Sequence, residues 1–171
     1  RLFAKIAAGD WDVVIVPHSS FGMISLSQET EERFLEAQLR LADAALKQAE
    51  EDQEEGSRFK SIGVKAAEAL IKKLENRMDA ARSKKRDRLV TFEQMGVDDL
   101  TIDESHEFKN LQYSSNLSGV RGMGNPSGSD KALDMYMKIR LLHENKGAVA
   151  FMTGTPISNS AAEIYSIMRY L

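Results

Sequence analysis

Hydrophobic positions recur in three different patterns along this chain. Between Arg1 and Ser27 the signal is a short β-branched run, VVIV at positions 13 to 16, stopped by Pro17. A continuous apolar run closed by a breaker predicts a strand buried on both faces, as in a parallel sheet. Arg1 to Ala8 reads as a helix end stopped by Gly9. From Gln28 to about Met95 the pattern changes. Leu35, Leu39, Ala42, Leu46 and Ala49 are spaced 4, 3, 4 and 3 apart, and Val64, Ala67, Ile71, Leu74, Met78 and Ala81 are spaced 3, 4, 3, 4 and 3 apart. This heptad seam on two successive helices, with Gly56 and Ser57 at the turn, predicts an antiparallel helical hairpin.

From Gly96 to Leu171 strands and helices alternate. VDDLTID predicts a strand ending at Asp103, and GAVAFMTG a second buried strand. Between them, DKALDMYMKIRLLHEN has helical periodicity, with Ser129 or Asp130 as its N-cap. TPISNSAAEIYSIMRYL reads as a turn and a helix capped by Ser158, Asn159 or Ser160. Asn110 to Ser129, rich in Ser, Gly and Asn, reads as a long loop of the functional or mobile kind. Strands separated by helices argue for an α/β fold with a parallel sheet. The expected organisation is a sheet-containing lobe from residues 1–27 and 96–171, interrupted by a hairpin inserted over 28–95. Ligands of such sheets bind at the carboxyl ends of the strands. PHSSFG, DESH and TGTPISNS fall at those ends and would converge on one edge.

Charge adds one feature. The net charge of −3 gives no bulk case for nucleic-acid binding. The two hairpin arms, however, differ sharply. Residues 29 to 55 carry ten acids against three bases, a net of −7, whereas residues 72 to 88 carry eight bases against three acids, a net of +5. Opposite arms attract and help to fix the pairing. The basic strip RSKKRDR reads either as a solvated helix face or as a contact for nucleic acid or a partner, with Lys84, Lys85 and Arg86 at its centre. At 171 residues the chain is one domain's worth. It has no cysteine, which excludes disulfides and cysteine-ligated metals and fits a cytoplasmic setting. No apolar run approaches a membrane span, and no signal-peptide pattern opens the chain.

The chemistry lies at the strand ends. Nucleotide hydrolysis needs a magnesium ion on the phosphates and a group that positions the attacking water. Asp103 at a strand end fits the metal, because Mg²⁺ is hard and keeps much of its hydration shell. Glu104 fits the water, and His106 is placed to bond a neighbouring loop. The plainer reading is a loop acid pair capping the next segment. Thr153, Gly154, Thr155 and Pro156 likewise read as a loop with hydroxyls and close backbone approach, or as a turn leading into a helix. His143, near a helix end, is expected at the surface. A triad of Ser19, His106 and Asp103 lacks the G-x-S-x-G elbow. The glycine-rich GVRGMGNP lacks the Lys-Ser/Thr end of a phosphate loop, and no such loop occurs elsewhere.

Taken in order, these stretches resemble a known family. DESHEFKN resembles the DEAH-box motif II of SNF2-like superfamily 2 helicases, MTGTPISNS their motif III, and WDVVIVPHSSF the strand and motif between phosphate loop and motif II. The resemblance covers essentially the whole chain. It is similar to the helicase segment of large phage- and plasmid-borne bacterial proteins that join such a helicase to an adenine DNA methylase and are often linked to antirestriction, a group that also carries a charged helical insertion. It implies a partial RecA-like lobe, the first of two motor lobes of an ATP-dependent DNA helicase or translocase. It also implies ATP and Mg²⁺ in the intact parent, with none bound to this piece. Asp103 would serve Mg²⁺ and Glu104 the hydrolytic water. His106, Thr153, Gly154 and Thr155 would couple nucleotide state to DNA, and His18, Ser19 and Ser20 would lie near the strand. Position 105 is Ser where the family usually has Ala.

Three further expectations follow. The phosphate loop and the second lobe lie outside these residues, so the piece by itself does not hydrolyse ATP. Its partners are DNA and the rest of the parent chain, including a methylase domain. An uncovered sheet edge favours pairing between two copies. The competing reading is a DNA- or protein-binding hairpin module on an α/β scaffold, with the basic arm as its contact surface.

Overall fold

The structure, a computed structural model, describes residues 2–53, 60–83, 90–113, 126–158 and 162–171. Its elements run α1 (Leu2–Ala8), α2 (His18–Phe21), α3 (Gln28–Gln53), α4 (Lys60–Ser83), β1 (Asp99–Ile102), α5 (Asp130–Glu144), β2 (Ala148–Phe151) and α6 (Ala162–Met168). Single 3₁₀ turns cover Glu93–Met95 and Ser105–Phe108. Helices dominate, and the described residues include a small two-stranded parallel sheet.

β1 and β2 pair in parallel, with Asp99 opposite Ala148 and Ile102 opposite Phe151. Parallel neighbours need a long crossover, and α5 provides it. Ser129 caps α5 by accepting the Ala132 N–H at 3.2 Å, as its position before the apolar repeat predicts. Just before the cap, Gly128 has φ +61°, and a Cβ there would lie 2.3 Å from the Gln112 nitrogen, so only glycine fits the crossing. Ala132, Leu133, Met135, Met137, Ile139 and Leu141 of α5 are all buried. Burial on nearly every side marks α5 as the central helix. Ile24, Leu26, Phe92, Ile102, Phe108 and Tyr170 complete the core around it. Each such side chain contributes about 1.5–3 kcal/mol by leaving water.

α3 and α4 lie antiparallel: Gly63 faces Ala49 near one end, and Arg77 bonds Glu31 near the other. The seam positions Leu35, Ala42, Ala49, Ala67, Leu74, Met78 and Ala81 are buried as their spacing predicts. Gly56 and Ser57, expected at the turn, lie outside the described residues. Ser27 starts α3 by accepting the Thr30 N–H, while its own N–H goes to both carboxylate oxygens of Glu93, at 3.0 and 3.1 Å. Charge attaches the hairpin to the rest. Lys73 reaches Asp130 and the carbonyls of Ser127 and Gly128. Arg77 bridges Glu31 and Asp134, and Arg33 forks onto Glu144.

VVIV departs from expectation. Residues 13 to 16 form no strand, and Val13 and Ile15 are 76% and 93% exposed. A buried parallel strand needs a bonded neighbour and a layer on each face. Here β1 and β2 bond each other, and from VVIV only Val16 packs onto the core. For the same reason Ala148 and Ala150 of β2 stay exposed, where burial on both faces was expected.

Candidate functional site

The carboxyl end of β1 runs into Asp103 and Glu104, and that of β2 into Thr153. The ladder continues one step past the strands: Met152 N–H donates to the Ile102 carbonyl at 2.8 Å, and Ser105 N–H to the Met152 carbonyl at 2.9 Å. Two loops distant in sequence therefore leave the sheet side by side. Both acids are exposed. Asp103 Oδ1 accepts the Glu104 N–H at 2.9 Å, which closes the turn. Glu104 has φ 49° and ψ 43°, the left-handed region that residues other than glycine rarely enter. Holding it there costs on the order of 1–3 kcal/mol, the kind of strain that clusters at working sites.

His106 joins the loops. Its Nδ1 lies 3.0 Å from Thr153 Oγ1 and 3.2 Å from Glu104 Oε2. Thr153 Oγ1 also accepts the Thr155 N–H at 3.1 Å. The Thr153 hydroxyl donates to a bare Nδ1 or accepts from a protonated one, so His106 keeps this bond in either tautomer. Gly154 lies between the two threonines, and a Cβ there would meet nothing.

A second connection runs toward α2. His18 Nδ1 lies 3.5 Å from Glu107, and its ring packs on Phe108 with centroids 5.1 Å apart. Glu107 also pairs with Lys131 of α5. The bond from Lys131, its charge and the bond from His18 hold the Glu107 carboxyl below its ordinary value. Thus α2, which carries His18, Ser19 and Ser20, stands beside the segment that follows the acid turn. A cleft of about 880 Å³ opens on that side, lined among others by His18, Arg77, Glu107 and Asp134. Asp103, Glu104 and the Thr153–Thr155 loop do not line it.

The chain's order thus brings together Asp103, Glu104, His106, Thr153, Gly154 and Thr155. Lys84, Lys85 and Arg86 lie outside the described residues. In the described part of the basic arm, Lys73, Arg77 and Arg82 are in ion pairs with Asp130, Glu31 and Glu32. His143 is not the free surface histidine expected; it is half-buried, with Nε2 3.0 Å from the Tyr170 carbonyl. Sequence reasoning missed Glu163, an acid only 4% exposed that pairs with Lys109. It also missed Lys138, fully buried against Asp134. Each had a visible signal: a charge set among the apolar residues of AAEIYSIM and MYMKIRLL.

For a magnesium ion the donor set at this edge is suitable. Mg²⁺ takes one or two protein carboxylates and draws its other ligands from phosphates and water. Asp103 and Glu104 present hard, exposed oxygens there. Among the described residues no helix is long and apolar enough to cross a membrane.

One family model, described as "Probable helicase domain", matches residues 1–171. Searches of curated proteins and of solved structures gave no match. With the whole length matched, the chain belongs to the probable helicase domain family.

Proposed function

We propose that this helicase domain is the first motor lobe of an ATP-dependent, SNF2-like DNA helicase or translocase, with residues 1–27 and 96–171 as part of a RecA-like lobe and 28–95 as an inserted hairpin. The observation that carries the reading is the parallel pairing of β1 with β2, which sets the acid turn and the TGTP loop side by side with His106 between them. When bound, Mg²⁺ would neutralise phosphate charge at this edge, held by Asp103. Glu104 orients and accepts a proton from water at its exposed carboxylate. His106 passes the position of that carboxylate to Thr153, and Thr153 to the Thr155 backbone. α2 presents His18, Ser19 and Ser20 toward DNA. The sequence has no G-x-x-x-x-G-K-[ST] motif, so in this reading the phosphates are cradled by a part of the protein outside these residues.

The hairpin-module reading is less supported, because Lys73, Arg77 and Arg82 are committed to acids of the same chain. The test is ATP turnover by the full-length protein with and without DNA. Turnover that rises severalfold on adding DNA is expected. Turnover indifferent to DNA, or absent under both conditions, would contradict the proposal.

A further inference from the structure

Among the described residues two side-chain connections tie the segment after β1 to the loop after β2. The first, His106 to Thr153, joins residues that the motor reading already uses. The second does not. Lys109 Nζ donates to Ser158 Oγ at 2.9 Å and to Glu163 Oε1 at 3.0 Å. The other oxygen of that carboxylate accepts the Ser158 backbone N–H at 2.7 Å. Lys109, Ser158 and Glu163 thus form a closed triangle, with the Glu163 side chain 4% exposed and that of Lys109 28%.

A carboxylate buried that deeply is costly unless it is paired and hydrogen-bonded. Packing would be served as well by an apolar residue, so the acid supplies geometry. The loop from Gly154 to Ser158 is exposed throughout, and its side-chain anchors among the described residues lie at its two ends. Thr153 is tied to His106, and Ser158 to Lys109 and Glu163. His106 and Lys109 are three residues apart across one 3₁₀ turn, a spacing that puts side chains on one side. The same short segment therefore grips both ends of the loop.

We propose that Lys109 and Glu163 are positioning residues, a clamp that holds the loop 153–158 against the acid turn so that Thr153 stays within bonding distance of His106. The role in turnover rests on the motor reading above; the clamp itself does not. The test is hydrogen exchange in the full-length protein, comparing wild type with Lys109→Met, Glu163→Gln and the double variant. The bonded amides of Thr155 and Ser158 should exchange about tenfold faster in either single variant, because the loop opens locally. Amides of β1 and α5 should keep their rates. The double variant should loosen the loop no further than either single one, as expected for one coupled unit. Should Glu163→Gln fail to fold, Lys109→Met, at a partly exposed side chain, carries the test.

The second readout is ATP turnover with DNA. It should fall at least about fivefold in Lys109→Met with little change in KM, since the loop is then misplaced for the reaction while substrate binding is kept. Unchanged loop exchange would overturn the clamp, and so would faster exchange spread equally over β1 and α5, which marks a general fold contact. A loosened loop with normal turnover would overturn the positioning role. A loosened loop in a protein without any ATPase activity would leave the clamp standing and remove the motor reading.

Discussion

Removing the charge of Lys138 tests how the hairpin is fastened to the sheet-bearing part. Its Nζ is fully buried, 2.6 Å from Asp134 Oδ2 and 3.0 Å from the Phe21 carbonyl, and 4.6 Å above the Phe21 ring. Arg77 of α4 lies 3.8 Å from the other side of Asp134 and 3.3 Å from Glu31 of α3. Two acids and two bases thus form a neutral network across three helices and the end of α2. Burial pushes the Lys138 ammonium down and the Asp134 carboxyl up, and their mutual attraction offsets only part of each shift.

Lys138→Met keeps most of the volume but strands the Phe21 carbonyl, at about 1–3 kcal/mol. Asp134 retains Arg77 and is 23% exposed, so the full penalty of about 3–5 kcal/mol for breaking a buried pair is not reached. The expected loss is about 2–3 kcal/mol. Lys138→Ala also removes three buried methylenes, adding about 2 kcal/mol. Asp134→Leu with Lys138→Met removes both charges and leaves the stranded Phe21 carbonyl as the remaining cost, so it should be about 1 kcal/mol more stable than Lys138→Met alone. Urea unfolding followed by circular dichroism reads all three. The slope with urea should stay constant, since Arg33 on Glu144 and Lys73 on Asp130 still attach the hairpin and the helices melt as one unit. A Lys138→Met variant within about 0.5 kcal/mol of wild type would refute this accounting of the network, and a separate early transition of the hairpin in the wild-type protein would refute the fastening.

Three shorter expectations follow. Ser105 Oγ is buried with no hydrogen-bond partner among the described residues, so Ser105→Ala should stabilise the protein by up to about 1 kcal/mol in the same assay; a loss of stability would reveal a partner for the hydroxyl. Burial by itself would raise the Glu93 carboxyl, but bonds from its own N–H, Thr30, Ser27 and Thr91 outweigh it and hold it below the ordinary 4.5. The stability it contributes is therefore complete above about pH 4.5 and fades as pH falls through its lower folded value. Glu93→Gln should cost about 1 kcal/mol at pH 7 and flatten the stability profile below pH 4.5; an unaltered acid limb would contradict the assignment. Thr153→Val removes the partner of His106 and the acceptor of Thr155 N–H. Stimulation of ATPase by DNA should then fall about tenfold while the rate without DNA changes much less, and an equal fall in both rates would remove the coupling role.

Several elements were legible in the residues because local pattern and tertiary environment agree. α5 shows why: a continuous helical repeat, a Ser cap and burial on nearly every side leave the chain no competing structure. The hairpin was equally legible from its seam, since alanine and leucine at heptad spacing bury a narrow stripe on any partner. VVIV misled, because a β-branched run reports only that a strand is favourable, and strand formation depends on a neighbour with free backbone groups. The basic arm is a subtler case. Counting charges along α4 does not say which way they point. Lys73 and Arg77, four residues apart, share one face, and that face meets Asp130, Glu31 and Asp134. At the site, DESH and TGTP could be named from their places after strands, but the bond from His106 to Thr153 required the register of β1 on β2. The pair of Lys109 and Glu163, far apart in sequence, became visible only with the loop in place.

In the proposed motor, Glu104 acts on water at the nucleotide site. Glu104→Gln keeps the side chain's size while removing its basicity. In the full-length protein, ATP turnover in the presence of DNA and equilibrium binding of ATP with Mg²⁺ should be measured on the same preparation. Turnover should fall by about a thousandfold or more, with ATP affinity within about threefold of wild type. A variant that still hydrolyses ATP at the normal rate would contradict the account.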